Sequence, residues 1–244
     1  MPEGHPALVR ALLDELDERS AKPIGDAAAL VLEAVAADGL VHVGGAGHSL
    51  ALVCETFYRA GGLACVRPLW DPSVLPLHDA TASTGAERRP GLGLSVVRAA
   101  DPSPPDVAVV FSTSGRNPYP VEIARECAAR GVPVIAVTSP EASRHAAARA
   151  GSRLTDHAAV VVDTAVPPGD VVHPPGAART AAVSTVLAAY AWSRLLAELH
   201  DLAAARGLDL PCWTSANVPG GDERNRHLLE RYRHRVPELG GPPD

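Results

Sequence analysis

The sequence predicts an α/β protein in which helices cover both faces of a five-stranded parallel sheet. Two observations indicate this class. Short, continuous apolar runs alternate with amphipathic or Ala-rich segments along most of the chain, and Gly, Pro or polar residues bound the runs. Continuous apolar strands, unlike strands in which polar and apolar residues alternate, are typical of parallel sheets buried on both faces.

The elements follow from this pattern in order along the chain. Two N-terminal helices are predicted at about 6–20 and 26–37, and the five strands are the apolar runs at 40–45, 63–69, 106–112, 131–139 and 157–163. Further helices are predicted at about 49–60, 120–130, 141–150, 177–206 and 223–235. The expected architecture is a doubly wound, flavodoxin-like domain, with N-terminal helices (1–39), an α/β core (40–206) and a C-terminal extension (207–244).

Composition narrows the range of functions. The chain has 244 residues, 46% of them hydrophobic, and a net charge of −6. Its apolar runs are shorter than the roughly 18–20 residues of a membrane span and no basic leader opens it, so we expect a cytoplasmic protein without a membrane partner. The acidic balance and the scattered Arg residues also argue against a nucleic-acid partner.

Individual residue types exclude several cofactors. The only Lys is Lys22, in the N-terminal region. The predicted core therefore has no lysine for a Schiff base, for pyridoxal phosphate attachment or for a P-loop. The Cys residues form no CxxC pair and the His residues show no HxH or HExxH spacing, so we expect reduced thiols and no metal site.

The glycine-rich segment 44–49 follows the first predicted strand and leads into a helix. Such a turn lets the backbone approach an anion, and the helix N-terminus adds unpaired N–H groups. A dinucleotide fingerprint is not complete, because Leu50 stands where the third Gly belongs and Arg67 replaces the usual acidic residue. Two interpretations remain open: a phosphate site, or a tight turn in which Ser49 caps the helix.

The segment 112–118, STSGRNP, follows the third predicted strand. Its three consecutive hydroxyls (Ser112, Thr113 and Ser114) and its backbone amides could donate several hydrogen bonds to one phosphate. Capping a helix requires one hydroxyl, so phosphate binding is the favoured interpretation. In a doubly wound sheet, ligands bind beyond the carboxyl ends of the strands where the strand order reverses, and we expect both loops to lie there.

These motifs resemble the sugar isomerase (SIS) domain family, a phosphosugar-binding fold shared by aldose–ketose isomerases, the isomerase module of glucosamine-6-phosphate synthase and N-acetylmuramic acid 6-phosphate etherase. GAGHS (45–49) and STSGRNP (112–118) carry the resemblance, and the second is most similar to the SGRTP-type loop of the etherase branch. Longer segments at 44–62, 81–93, 181–188 and 215–225 look like a bacterial SIS subfamily. The most similar activity is that of an actinobacterial N-acetylglucosamine-6-phosphate dehydratase.

The resemblance implies a set of ligand-binding residues. The expected phosphate-binding residues are Ser49, Ser112, Thr113, Ser114 and Asn117. The expected sugar-binding residues are Gly47, His48, Ser184, Thr185 and Asn217. No cofactor is implied, and the crevice is expected to lie near the interface of a homodimer. The chain lacks the Lys that synthase-type isomerases carry near their carboxyl end, which argues against that type of isomerisation.

A dehydration of this kind needs a base for the proton at carbon 2 and an acid for the group that leaves carbon 3. The candidates are Glu55, Glu87 and His78. Each has an alternative: Glu55 could form an ordinary helix ion pair with Arg59, Glu87 could be surface charge beside Arg88, and His78 could be merely solvated. The expected function is therefore a phosphosugar lyase. An aldose–ketose isomerase and a non-catalytic phosphosugar sensor are the alternatives.

Overall fold

The computed structural model describes residues 4–241. Its α-helices are α1 (His5–Ala36), α2 (Leu50–Thr56), α3 (Ala80–Glu87), α4 (Leu92–Ala100), α5 (Pro118–Ala129), α6 (Pro140–Arg144), α7 (Ser184–Ala205) and α8 (Gly221–Tyr232). Its strands are β1 (Val41–Gly45), β2 (Val66–Leu69), β3 (Val107–Phe111), β4 (Val134–Thr138), β5 (Val160–Asp163), β6 (Val171–His173) and β7 (Thr180–Ala182). Strands β1 to β5 form a parallel sheet in the order β2-β1-β3-β4-β5, and β6 and β7 form an antiparallel hairpin. The predicted five-stranded parallel sheet is confirmed.

Both faces of the sheet are buried. Every residue of β1, β3 and β4 is buried. Along β3, Val107 and Val109 belong to the core that α1, α2 and α7 complete, whereas Ala108 and Val110 belong to the core that α4 and α5 complete. Successive side chains of a strand point to opposite faces, so helices on both sides are needed to bury a continuous apolar run.

The N-terminal region forms one helix, and the prediction of two was wrong. Helix α1 continues through Pro23, although proline lacks the N–H that an interior helical position donates. Buried side chains occur on both sides of Pro23, among them Leu16 before it and Ile24 after it, and α1 packs mainly against α7. Burial of one continuous apolar face outweighs the cost of an interior proline, about 3 kcal/mol. Over residues 4–241, no helix has both the length and the apolar character to cross a membrane.

Several other elements are shorter than their sequence pattern suggests. Helix α2 ends at Thr56 instead of about residue 60, because Phe57 is extended and Tyr58 has a φ of 48°. Strand β2 begins at Val66 instead of 63, since Leu63 pairs with Cys212 in the C-terminal segment. Helix α6 ends at Arg144 instead of about residue 150.

The connection between β2 and β3 contains α3 and α4, neither of which was predicted. The Asp79 carboxylate caps α3 by accepting hydrogen bonds from the N–H groups of Thr81 and Ala82 at 3.0 and 2.9 Å. The buried carboxylate of Glu122 in α5 accepts from Gly91 N at 2.8 and 2.9 Å and from Gly93 N at 3.1 Å. A carboxylate from another helix therefore satisfies the amides that begin α4.

The Ala-rich segment 177–183 does not belong to α7, contrary to the prediction of a helix over 177–206. It forms β7 and the turn before the helix instead. Asp170 accepts hydrogen bonds from the N–H groups of Val183 and Ser184 at 3.0 and 2.7 Å. The helix starts where this distant carboxylate caps it, which a local pattern cannot indicate.

A buried pair joins β1 to the chain just before β3. His42 Nε2 lies 3.0 Å from Asp106 Oδ2, and the same carboxyl accepts from Leu40 N at 2.8 Å and from Ser103 N at 3.2 Å. Burial by itself would raise the pKa of Asp106, but the hydrogen bonds from His42 and the backbone amides outweigh it, so the pKa is lowered below 3.8. The ionised carboxyl thus stabilises the junction of the two central strands.

Asp106→Asn should lower the free energy of unfolding at pH 7 by about 1–3 kcal/mol, because charge-assisted hydrogen bonds to a buried group are lost. The contribution of a carboxyl with a lowered pKa is present above its unfolded pKa and is lost as the pH falls through the folded value. The difference in the free energy of unfolding between wild type and variant, measured by urea denaturation, should therefore decrease towards pH 3. Asp14→Asn, at an exposed position of α1, is the matched control. A difference that stays constant from pH 7 to pH 3 would contradict the role of the charge.

Gly93→Ala should destabilise the protein by about 1–3 kcal/mol through overpacking. A Cβ at Gly93 would lie 2.3 Å from the carbonyl oxygen of Tyr119 and 2.9 Å from Glu122 Cβ, whereas a Cβ at Gly85 in α3 would have no atom within 4 Å. Gly85→Ala is thus the control, and we expect it to be neutral or stabilising by up to about 1 kcal/mol. Equal melting temperatures for the two variants would show that α4 does not need this close approach.

Candidate functional site

A cleft of 520 Å³ lies at the carboxyl ends of the central strands. β1 and β3 are neighbours in the sheet although β2 separates them in the chain, so the strand order reverses between them. The last residues of the two strands, Gly45 and Phe111, are paired in register. The cleft is lined by 46–49, Thr84, Glu87, 112–114, Arg116, Asn117, Ala142, His145, Ala146, 167–170 and Ser184.

The loop after β1 is tightly folded and leaves its hydroxyl unused. A Cβ at Gly45 would lie 2.7 Å from the carbonyl oxygen of Ser49, and Gly47 has a φ of 55°, so both positions favour glycine. Ser49 precedes α2, yet its side chain makes no capping hydrogen bond. Of the two interpretations of this loop, capping by Ser49 is therefore wrong, and Ser49 lines the cleft.

The loop after β3 is fixed from behind by β4. The carbonyl of Thr113 accepts from Ser139 N at 3.1 Å and from the hydroxyl of Thr138 at 3.2 Å. Ser112 Oγ accepts from Gly115 N at 3.2 Å, an acceptor role that leaves its O–H free to donate. The hydrogen bonds within the described chain leave the hydroxyls of Thr113 and Ser114 available, and both residues line the cleft. Several donors therefore point to one volume, as an anion site requires.

Asn117 precedes α5 but does not cap it. Its side chain is buried, and its Oδ1 accepts a hydrogen bond from Arg149 Nη1 at 2.7 Å. Neither Arg149 nor its contact with this loop was predicted, because 32 residues separate it from Asn117.

Glu87 is the last residue of α3 and faces the first loop across the cleft. Its Oε2 lies 4.0 Å from the position that a Cβ on Gly47 would occupy. The helix that carries it is anchored, since Ser83 Oγ donates to the carbonyl of Val74 at 2.9 Å and Ala86 is buried. This half-buried carboxylate thus has a defined position beside the glycine-rich loop.

Asp170 and His145 also line the cleft, and the sequence analysis missed both. Asp170 Oδ2 accepts from the hydroxyl of Ser184 at 2.7 Å, in addition to its two bonds to the start of α7. His145 Nδ1 lies 3.0 Å from the carbonyl oxygen of Glu141. This contact makes Nδ1 the donor, so Nε2 of the neutral ring can accept a proton.

Ten of the predicted site residues come together in the folded chain. Nine of them line the cleft, namely Gly47, His48, Ser49, Glu87, Ser112, Thr113, Ser114, Asn117 and Ser184. Thr185 lines an adjoining recess of about 10 Å³ together with His48, Ser49 and Ser184, which is about the space of one water molecule.

Three predicted site residues lie outside this cleft. Glu55 accepts a hydrogen bond from Arg59 at 2.9 Å and lines a different cavity, against Trp192. His78 is exposed, beside the start of α3. Asn217 is exposed as well, in the segment that follows the Leu63–Cys212 bridge. Within one chain these three residues do not meet the other ten, because α2 turns Glu55 towards α7 and the C-terminal segment pairs near the start of β2.

The cleft combines anion donors with groups that transfer protons. Glu87, Asp170, His48 and His145 are its carboxylate and imidazole side chains, which are the usual general acids and bases. Within residues 4–241 no three His, Cys, Asp or Glu side chains form a cluster that could hold a metal ion.

Comparisons with known proteins identify the family of the chain. The family model described as "SIS domain" matches residues 6–139, more than half of the chain. A UPF0309 protein from Geobacillus kaustophilus is 36% identical over 217 residues, which cover 87% of this chain and 86% of that protein.

Solved structures show the same fold. The phosphoheptose isomerase of Neisseria gonorrhoeae superimposes with a TM-score of 0.54 at 22% identity, covering 80% of this chain and 94% of that one. A longer protein from Silicibacter pomeroyi superimposes with a TM-score of 0.52 at 19% identity; the match covers 82% of this chain and 50% of that one. By the family model and by its relatives, the chain belongs to the SIS domain family, and within it to the UPF0309 proteins.

Proposed function

We propose that the cleft binds a phosphosugar and catalyses a proton transfer on it. The observation that carries this proposal is the position of Glu87 beside Gly47, in the same cleft that the unused hydroxyls line. The hydroxyls of Ser49, Thr113 and Ser114 hold the phosphate, and a carboxylate beside them can remove a proton from the sugar carbon chain. The phosphosugar named for the Neisseria isomerase is consistent with this ligand class.

The proposed reaction is the dehydration of N-acetylglucosamine 6-phosphate, to which the SGRNP loop and the neighbouring motifs point. After ring opening, a base removes the proton at carbon 2, and the C–H electron pair becomes part of a double bond between carbons 2 and 3. The bond between carbon 3 and its oxygen breaks, and the oxygen leaves as water once an acid has protonated it. Atoms and charge balance without a cofactor.

We assign the base to Glu87, and the acid to an imidazole of the cleft, His48 or His145. Imidazole can both donate and accept a proton near neutral pH. The predicted roles of Glu55, His78 and Asn217 require that a second subunit brings them to the cleft, as the proposed homodimer would.

The enzyme should convert N-acetylglucosamine 6-phosphate into an ultraviolet-absorbing product that has lost one water and kept its phosphate. Absorbance and mass spectrometry test both features. A product of unchanged mass would instead show an aldose–ketose isomerase, which shares the first proton transfer and keeps the oxygen at carbon 3. Binding without turnover of any sugar 6-phosphate would show a sensor.

Glu87→Gln should reduce kcat by at least about 100-fold with little change in melting temperature, because the amide keeps the shape of the side chain and removes the base. Exchange of the carbon 2 proton with deuterated solvent should stop as well, and NMR measures it directly. Glu223→Gln, an exposed position on α8, is the matched control.

Glu55→Gln provides the comparison that separates the two predicted carboxylates. Full activity would show that Glu55 serves only as the partner of Arg59, whereas a loss as large as that of Glu87→Gln would show that a second subunit brings Glu55 into the cleft. Normal turnover by Glu87→Gln would refute the assignment of the base.

Thr113→Val combined with Ser114→Ala should chiefly raise KM, with a smaller effect on kcat. Each lost charge-assisted hydrogen bond to phosphate should cost about 1.5–3 kcal/mol of binding free energy. Ser95→Ala controls for the loss of a hydroxyl, because Ser95 is exposed on α4 and its hydroxyl bonds only the Leu92 carbonyl. If the double variant kept wild-type affinity in calorimetry, the hydroxyls would not hold the phosphate.

A further inference from the structure

A segment after α6 lies along the loop that follows β3 and carries a guanidinium to it. The N–H of Arg149 donates to the carbonyl of Arg116 at 3.0 Å, and Arg116 Nη1 donates to the carbonyl of Ala147 at 3.5 Å. Arg149 Nη1 donates to Asn117 Oδ1 at 2.7 Å. These contacts place Arg149 directly behind Arg116 and the buried Asn117, both of which line the cleft.

The Arg149 guanidinium lacks a carboxylate partner. No Asp or Glu oxygen of the described chain lies within ion-pair distance of it, and its one side-chain hydrogen bond goes to the neutral amide of Asn117. Nearby Arg153 differs, because its guanidinium donates hydrogen bonds to the carbonyl oxygens of Ser143 and Ala146. Arg149 is exposed and retains N–H donors for a ligand.

Like charges surround this guanidinium. Partial desolvation, and then the charges of Arg116 and Arg88, lower the pKa of Arg149, and Glu87 alone acts in the opposite direction. In a chain whose net charge is −6, three arginines around Glu87 are a local excess of positive charge, and Asp170, the other carboxylate of the cleft, already accepts hydrogen bonds from Val183 and Ser184. An anion at the cleft would relieve this repulsion.

The hydrogen bond to Arg149 changes the role expected of Asn117. The Oδ1 atom is an acceptor and would repel phosphate oxygens, but it is the atom that holds the guanidinium. Asn117 is also buried, so its side chain is fixed. It therefore suits the orientation of Arg149 better than direct contact with a phosphate.

We propose that Arg149, with Arg116, binds the anionic group of the ligand, and that Asn117 is the positioning residue that aims Arg149 at it. The planar guanidinium can offer two parallel N–H groups to a phosphate, which adds charge and direction to the hydroxyls of the loop. This inference rests on the proposed function only for the sugar part of the ligand; the anion itself can be tested alone.

The test measures the binding of inorganic phosphate and of N-acetylglucosamine 6-phosphate by calorimetry. Arg149→Met should weaken both by about 10- to 100-fold and should reduce the salt dependence of binding, while Arg149→Lys should restore part of the affinity. Arg144→Met is the matched control, because Arg144 is exposed at the end of α6, no hydrogen bond of the described chain joins its side chain to Arg116 or Asn117, and the charge change is the same. Unchanged affinity in Arg149→Met would overturn the proposal.

A double-mutant cycle tests the positioning role. Asn117→Ala should weaken phosphate binding in the wild-type background and have little further effect in the Arg149→Met background, since both remove the same interaction. Additive losses would show that Asn117 acts on the ligand independently of Arg149, and would overturn its positioning role. Circular dichroism and melting temperature identify a variant that fails to fold, in which case Arg149→Gln replaces Arg149→Met.

The outcomes separate this proposal from the proposed function. If the wild type turns over the phosphosugar and Arg149→Met binds it equally well, the arginine site is refuted and the function stands. If phosphate binds in an Arg149-dependent manner but no sugar phosphate is converted, the arginine site stands and the lyase is refuted. If neither phosphate nor any sugar phosphate binds the wild type, both are refuted.

Discussion

The parallel pairing of β1 with β3 is the constraint on which the cleft depends. The register runs from Val41 opposite Val107 to Gly45 opposite Phe111, so both strands end at the same level. Each is followed by a loop that leads into a helix, and the helices leave on opposite faces of the sheet. The two loops thus diverge from a common edge and leave a volume between them, as the reversal of strand order in such sheets requires.

Side chains from remote segments complete that volume. Carboxylates hold the starts of three helices around it by accepting hydrogen bonds from their first amides. Glu122 satisfies the amides at the start of α4, and Asp79 satisfies those at the start of α3. Asp170 does the same for α7, while its second oxygen accepts from Ser184 in the cleft. Because α3 ends at Glu87, the position of the proposed base depends on helix caps and not on the sheet alone.

Two arginines beside the loop after β3 place positive charge in a chain whose overall balance is acidic. The net charge of −6 would discourage an anionic ligand at long range. Arg116 lines the cleft together with the unused hydroxyls, and the lining residue Asn117 holds the Arg149 guanidinium without neutralising it. A neutral partner orients a cation and preserves its charge, whereas a carboxylate at the same place would cancel it. This difference is what would let an acidic protein select a phosphorylated sugar.

The sequence by itself determined the sheet and the two loops at its edge. Continuous apolar runs specify buried parallel strands, and loops rich in glycine or hydroxyl groups carry their anion-binding groups within one short segment.

Tertiary structure decided the features that depend on distant partners. Packing on α7 carries α1 through Pro23, Asp170 moves the start of α7 to Ser184, and the turn at Phe57 leaves Glu55 paired with Arg59 outside the cleft. Asp170 lines the cleft and bonds to Ser184 across 14 residues, and Arg149 bonds to the lining residue Asn117 across 32 residues. Local periodicity reports which side of an element is buried, but not which remote side chain will satisfy its ends.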